Sequence, residues 1–251
     1  MFKECILPEH SSERGVICWY YAFFLFACKF WILSVAHDHG VLFHTDAVQA
    51  VGHIPVNVKR LGVDLMSVSA HKFNGPQGCG FLYVKHGTPI KPFHQGGQQE
   101  TGLRAGTENV AGIVGMAVAL QYHINNMRET KKRLKEMAKR FKAIVSASVP
   151  QAVFNGDSRK RLPGHVSVSF PNRDGEALLH LLDLKGICVS TGAACNSRST
   201  EVSHVLQAIG LPVDVAKGTL RVTFGHGNTV HDAEIVANTL VALLKKIMSN
   251  E

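Results

Sequence analysis

The sequence predicts an α/β fold, with a mostly parallel sheet in its first part and a mixed α+β domain in its last part. From residue 36 onward, short apolar runs of strand length alternate with helical stretches, which is the pattern of βαβ units. The 251 residues are 45% hydrophobic and 18% charged. This composition excludes disordered, collagen-like and coiled-coil proteins.

The predicted elements before residue 100 are short. Apolar runs predict strands at residues 41–45, 64–69 and 80–84. Helical stretches are expected between the first two strands, at residues 47–51 and 58–61. This alternation is what predicts that the sheet is mostly parallel.

A long helix is predicted over residues 106–147, because apolar residues recur there at spacings of three and four. We expect it to break near residue 125 and to end before Pro150. Its apolar positions are Val110, Val114, Ala117, Val118, Tyr122, Leu134, Met137, Phe141, Ile144 and Val145.

The last part of the chain mixes strands and helices, which predicts a separate α+β domain over residues 125–251 and leaves residues 36–124 as the parallel part. The predicted strands are 152–154, 165–170, 187–190 and 220–224, and the predicted helices are 175–182, 202–209 and 231–248.

Residues 1–35 form a hydrophobic N-terminal segment that differs from the rest of the chain. Residues 16–35 hold a single charged residue, Lys29, and are as long as a membrane span. A central lysine costs about 2.5–3.5 kcal/mol on insertion scales, which the Phe and Leu residues could offset. Three alternatives stay open: a membrane anchor, a buried core segment, or a segment foreign to the fold.

The chain has a formal net charge of +8, which suits an anionic partner such as a nucleic acid or a phosphorylated small molecule. Residues 128–142 carry eight Lys or Arg against two Glu, on either a solvated helix face or a partner-binding stripe. The cysteines, at positions 5, 18, 28, 79, 188 and 195, include no C-x-x-C pair. We therefore expect free thiols in a reducing, cytoplasmic compartment rather than a disulfide framework or a zinc finger.

Polar residues follow two of the predicted strands. Lys72 is the last residue of the sequence Ser69-Ala70-His71-Lys72, which begins at the end of the strand predicted at 64–69, and Asp46 follows the strand predicted at 41–45. Ligands of α/β sheets bind beyond the carboxyl ends of strands. There, a lysine can form a Schiff base with an aldehyde cofactor, and a carboxylate can keep a pyridine nitrogen protonated. The alternatives are a solvated lysine and an aspartate that caps a helix.

Two further clusters carry chemistry. Residues 95–109 are rich in glycine and include Arg104 and Thr107, which suits a phosphate; the alternative is a turn before a helix that Thr107 caps. Residues 190–197 place Cys195 among small residues between a strand and a helix. That position favours an accessible, reactive thiol, against the alternative of a buried apolar cysteine.

Together the four clusters resemble the cysteine desulfurase family, the NifS-like group of class V aminotransferase relatives. The matching motifs are HTDAVQAVG, SAHKFNGP, GGQQETGLRAGTEN and STGAACNS, in that order. The resemblance implies the fold type I of transferases that depend on pyridoxal 5′-phosphate (PLP). Residues 36–124 would be an incomplete PLP-binding large domain, and residues 125–251 a small domain that carries the catalytic Cys195 loop.

The resemblance also implies roles for residues around the cofactor. Lys72 would form the Schiff base with PLP, Asp46 would pair with the pyridine nitrogen, and Gln49 would bind the phenolic oxygen. Ser69 and His71 would bind the phosphate.

Three roles lie elsewhere in the chain. Thr107 would reach the phosphate of a neighbouring subunit, which implies a homodimer. Arg221 would clamp the substrate carboxylate. Cys195 would be the nucleophile that takes sulfur from L-cysteine, leaving L-alanine and a persulfide for an acceptor protein in iron–sulfur cluster or thio-cofactor supply. No nucleic acid is expected as a partner.

The family has a longer N-terminal stretch, with a histidine that stacks on the cofactor, and residues 1–34 contain no match to it. The resemblance therefore predicts a member truncated at the N-terminus. Its alternatives are a selenocysteine lyase, a non-catalytic remnant that acts only through dimer or partner contacts, and a membrane-anchored binding protein.

Overall fold

The computed structural model describes residues 16–19, 29–191 and 203–249. These residues divide into two compact units, one up to Met127 and the other from Arg128 onward. We refer to them as the first and second units.

The first unit contains a four-stranded sheet in the order β1-β2-β3-β4. The β1–β2 and β2–β3 pairs are parallel, whereas β3–β4 is antiparallel. The prediction of an α/β fold with a mostly parallel sheet is therefore confirmed. The strands are β1 (Val16–Trp19), β2 (Leu42–Asp46), β3 (Leu65–Ser69) and β4 (Gly80–Val84).

Two short helices accompany this sheet, α1 (Lys29–Asp38) and α2 (Val58–Leu61). The side chain of Asn57 caps α2 by accepting a hydrogen bond from the Arg60 N–H, and the helix ends at Gly62, which is left-handed with φ 71°. The predicted helix at 58–61 is confirmed. The helix predicted at 47–51 is wrong, because residues 48–53 form successive turns.

The third helix, α3, runs without interruption over Val110–Ser148, so the predicted break near residue 125 is wrong. Asn125 accepts a 2.8 Å hydrogen bond from the Gln121 side chain, and Asn126 donates one of 2.8 Å to the Tyr122 carbonyl. These local bonds accommodate two residues of modest helix propensity inside the helix.

The second unit contains an antiparallel sheet in the order β5-β6-β7. The predicted strand at 187–190 is reduced to a single bridge between Ser190 and Arg221. The short α6 was not predicted, since five residues are too few to show a helical period. The elements are β5 (Val153–Phe154), β6 (His165–Ser169), β7 (Thr219–Thr223), α4 (Gly175–Asp183), α5 (His204–Ala208), α6 (Val213–Lys217) and α7 (Val230–Ser249).

The core of the second unit lies where one face of the sheet meets the helices. Met137, Phe141 and Val145 of α3 are fully buried there. The charged residues of 128–142 lie mostly on the outer faces of the same helix. This distribution favours the solvated helix face for the basic cluster.

Only parts of the hydrophobic N-terminal segment are among the described residues. Residues 16–19 are the edge strand β1, and α1 begins at Lys29 and buries Ala36. These parts belong to the first unit. Of the described side chains in residues 16–35, Ile32 and Leu33 are half-buried and Ser34 and Val35 are exposed, so the core segment and the foreign segment stay alternative predictions. In the portions that the structure describes, no helix has the length and apolar character to cross a membrane.

Candidate functional site at the carboxyl edge of the first sheet

The carboxyl ends of β2 and β3 lie side by side in the first unit. Asp46 pairs in register with Ser67, and the Ala47 N–H donates a 2.9 Å hydrogen bond to the Ser67 carbonyl. Since the two strands are parallel, the segments that follow them leave the same edge of the sheet. The structure thus brings Asp46 and the turn that contains Lys72 to one edge.

Asp46 is half-buried at the end of β2, and its Oδ1 accepts a 2.8 Å hydrogen bond from the Val48 N–H. This is an Asx turn, and the successive turns that follow it reach Gly52, whose left-handed φ of 82° does not continue a helix. Asp46 therefore caps a turn and not a helix. Gln49 is exposed within the same run of turns.

Lys72 lies in a short 3-10 turn, Ala70–Phe73, directly after β3. Ala70 and Phe73 are buried and anchor this turn, whereas Lys72 is half-buried and His71 is exposed. Asn74 adopts a left-handed conformation with φ 61° and ends the turn. The arrangement fixes the backbone of Lys72 directly after the carboxyl end of β3 and leaves its side chain partly exposed.

The return from this turn into β4 depends on a close backbone approach at Gly80. The Ala70 N–H donates a 3.0 Å hydrogen bond to the Cys79 carbonyl, and Gly80 lies opposite Ser69. A Cβ at Gly80 would lie 2.4 Å from the Val68 carbonyl oxygen. Only glycine fits there without displacing one of the two strands.

A second contact joins the turns after Asp46 to the Lys72 turn. Gly52 has φ +82°, and a Cβ there would lie 2.7 Å from the Phe73 Cβ. The adjacent His53 donates a hydrogen bond from Nε2 to the Lys72 carbonyl, at 2.9 Å. Burial lowers the pKa of His53, while the bond to Lys72 acts in the opposite direction. His53 is therefore neutral near pH 7.

The side chains of Ser69 and His71 form a pair at the same edge. The Ser69 Oγ lies 2.8 Å from the His71 Nδ1 in an exposed position. Nearby, His44 bonds to the Ser67 Oγ at 2.8 Å, and burial lowers the pKa of His44 despite the nearby charge of Asp46. Hydroxyl and imidazole groups at this edge can donate hydrogen bonds to an anion.

Thr107 is exposed in the loop before α3. The alternative that it caps this helix is wrong, because the Asn109 side chain accepts a 3.0 Å hydrogen bond from the Gly112 N–H. Arg104 donates a 3.0 Å hydrogen bond to the neighbouring Ala105 carbonyl and is also exposed.

Arg221 lies in β7 of the second unit, opposite Ser167 of β6 and bridged through its backbone to Ser190. Burial lowers the pKa of the neighbouring His165 to about 4, and the charges of Arg221, Arg161 and Lys142 contribute. His165 is therefore neutral, and the three cations around it make this end of the sheet electropositive. A positive potential suits a carboxylate ligand.

The predicted nucleophile, Cys195, lies outside the described residues, which stop at Thr191 and resume at Ser203. Two other cysteines, Cys79 and Cys188, are free thiols, and Cys188 is exposed.

Comparison with known proteins gives a match to the family described as aminotransferase class-V over residues 31–236. The chain belongs to this family. It is 47% identical over 214 residues to a protein named cysteine desulfurase IscS from Dictyoglomus turgidum, and 43% identical over 214 residues to one of the same name from Methanosarcina thermophila. Each alignment covers 85% of this chain, with 54% and 53% of the relative, so the chain spans about half the length of these relatives.

Solved structures give the same result for this class V aminotransferase chain. A NifS-like protein from Rickettsia africae superimposes with a TM-score of 0.83 at 29% identity, covering 94% of this chain and 64% of the other. A second NifS-like protein gives a TM-score of 0.75 at 36% identity, covering 83% and 53%. The fold is therefore the PLP-dependent fold type I, as the resemblance predicts.

Membership of this family implies PLP as the cofactor, and the chemistry at the sheet edge fits it. An aldehyde requires a primary amine, a pyridine nitrogen requires a carboxylate, and a phosphate requires hydrogen-bond donors. Lys72, Asp46 and the Ser69–His71 pair supply these three kinds of group at a single edge.

His53 and Gly80 are the features of this site that sequence reasoning missed. The sequence gives one indication of the role of Gly80, because this glycine begins a strand directly after a glycine-containing turn. His53 had none, because a single histidine after a turn shows no pattern until the fold places it against Lys72.

Proposed function

We propose that the chain is a PLP-dependent cysteine desulfurase that converts L-cysteine to L-alanine and holds the sulfur as a persulfide on Cys195. The observation that carries the proposal is the convergence of Asp46 and the Lys72 turn at one sheet edge, in a chain 47% identical to a protein named cysteine desulfurase. When bound, PLP supplies an electron sink for the charge left on the substrate α-carbon.

The residues of the first unit would bind and orient the cofactor. The Lys72 amine would hold it covalently and would be the base that takes the α-proton of the substrate. Asp46 keeps the ring nitrogen protonated, and Gln49 donates to the phenolic oxygen. Ser69 and His71 hold the phosphate.

Thr107 would act on the phosphate of a second subunit, which makes the functional unit a homodimer. Arg221 would fix the substrate carboxylate with two parallel hydrogen bonds, in a region that is already electropositive around His165.

The sulfur step would take place on Cys195. Its thiolate attacks the substrate sulfur, the carbon–sulfur bond breaks and its electron pair stays with the carbon side. A proton delivered to that carbon completes alanine, so that cysteine and a thiol become alanine and a persulfide. A sulfur-acceptor protein would then receive the sulfane sulfur for iron–sulfur clusters or thio-cofactors. Free thiols at Cys79 and Cys188 suit a reducing, cytoplasmic setting for this chemistry.

The test uses the full chain supplied with PLP and L-cysteine, with alanine and sulfide measured separately. We expect both products, and we expect Cys195→Ser to reduce both to background. Cys188→Ser removes another exposed free thiol and is the matched control, with unchanged rates expected.

Absence of alanine from the full chain would refute desulfurase activity and favour the non-catalytic remnant. Faster turnover of L-selenocysteine that persists in Cys195→Ser would indicate a selenocysteine lyase instead.

A further inference from the structure

We infer that His53 is a positioning residue for Lys72, which it holds through the backbone. This inference rests on the proposed role of Lys72 in binding PLP. Its physical basis is the 2.9 Å hydrogen bond from His53 Nε2 to the Lys72 carbonyl oxygen.

The Lys72 carbonyl needs a donor from outside its own turn. In a continuing 3-10 helix the N–H three residues later, that of Gly75, would bond to it. Gly75 instead donates to the Ala70 carbonyl at 2.9 Å, and the left-handed Asn74 ends the turn. His53 supplies the hydrogen bond that the helix geometry does not.

The protonation state and surroundings of His53 make this bond well defined. Burial lowers its pKa, so the ring is neutral and carries one N–H. Because a carbonyl can only accept, that proton is on Nε2. The His53 ring also packs edge-on against the ring of the buried His123, with centroids 6.1 Å apart. This contact limits rotation of the donor away from Lys72.

The bond links the two segments that the proposed cofactor site requires. Asp46 ends β2, and Gln49 and His53 lie on the connection that follows it to α2, while Lys72 lies on the turn after β3. The packing of Gly52 against Phe73 is the second link between these segments. His53 therefore fixes the position of the Lys72 backbone relative to Asp46.

The first experiment measures amide hydrogen exchange of residues 70–75 in the cofactor-free full chain. Loss of one hydrogen bond in His53→Ala should speed exchange in this segment by about five-fold. His53→Gln keeps an N–H donor and should restore the slow rate. If His53→Ala does not fold, His53→Leu removes the donor while keeping side-chain bulk against its neighbours.

The matched control is Val63→Ala, which removes buried methyl groups two residues before the amino end of β3, away from the Lys72 turn. It should lower overall stability without a selective change at residues 70–75. The second experiment measures the rate at which Lys72 captures added PLP, read as the growth of cofactor absorbance. The same order is expected: about five-fold slower for the variants without a donor, and near the parent rate for His53→Gln and Val63→Ala.

The inference is overturned if His53→Leu matches the parent in segment exchange, or if His53→Gln behaves like His53→Ala. A parent chain that captures no PLP on Lys72 refutes the proposed function. Selective exchange changes in that same chain would still establish that His53 holds the Lys72 turn.

Discussion

Replacing Gly80 with alanine should destabilise the first unit and disturb the candidate site together. The added Cβ would lie 2.4 Å from the Val68 carbonyl oxygen and 3.4 Å from the Ser69 Cα. Side-chain carbons in proteins essentially never come closer than 3.0 Å to such an atom, so β3 and β4 must separate by about 0.6 Å at that point. Overpacking of this kind costs about 1–3 kcal/mol.

The assay is equilibrium unfolding in urea. It compares Gly80→Ala with an alanine variant of a second glycine, at which an added Cβ meets only open space. Gly227→Ala is the control, because its added Cβ meets nothing within 4 Å. We expect its free energy of unfolding to stay within about 0.5 kcal/mol of the parent. If Gly80→Ala unfolds at the same urea concentration as Gly227→Ala, the close approach of β3 and β4 is not what requires glycine.

Three further predictions concern the scaffold. Burial alone would raise the pKa of Asp64, but hydrogen bonds from the Phe43 N–H and His37, together with Lys85, outweigh it and lower the pKa. Its stabilisation is present above the unfolded-state value of about 3.9 and is lost as the pH falls through the lower folded value. Acid titration of stability should show this loss in the parent, and its persistence in Asp64→Asn would refute the assignment. Phe141→Ala should cost about 3–5 kcal/mol in urea unfolding, because Phe141 is fully buried in the core of the second unit; a loss below about 1 kcal/mol would contradict that packing. Asn109→Ala should cost about 0.5–2 kcal/mol through loss of the α3 cap, and Asn109→Asp should recover most of it; equal stability of the two variants would show that the cap contributes nothing.

Three strands of the first unit, β2, β3 and β4, could be predicted from the sequence because each is an apolar run bounded by polar or glycine residues, whereas β1 lies in a long apolar segment and was not predicted. The structure moves their ends by no more than one residue, as in Leu42–Asp46 against the expected 41–45. The antiparallel direction of β4 could not be predicted, since an apolar run carries no sign of its direction in a sheet.

The errors have local physical causes. The helix expected at 47–51 has suitable residues, but Gly52 directly after it is left-handed with φ 82°, and residues 48–53 form successive turns instead. The break expected near residue 125 does not form, and the side chains of Asn125 and Asn126 bond to Gln121 and Tyr122 within the continuous helix. A residue of weak helix propensity is accommodated in a helix when its side chain forms a hydrogen bond with a residue one turn away.

One part of the candidate site could be predicted from the sequence and another part could not. Lys72 and Asp46 could be placed at one edge because each directly follows a strand, and parallel strands end at a common edge. The coupling between them could not be foreseen, because it depends on His53 and Gly52, which contact the Lys72 turn only in the folded chain.

The most direct test of the central claim is to identify the lysine that holds PLP. The full chain is incubated with PLP, reduced with borohydride to fix the cofactor, digested and analysed by mass spectrometry. The account predicts a cofactor-modified peptide at Lys72, lost in Lys72→Ala and retained when the exposed Lys91 of the same unit is changed to alanine. Modification confined to surface lysines such as Lys91, with Lys72 unmodified, would contradict it.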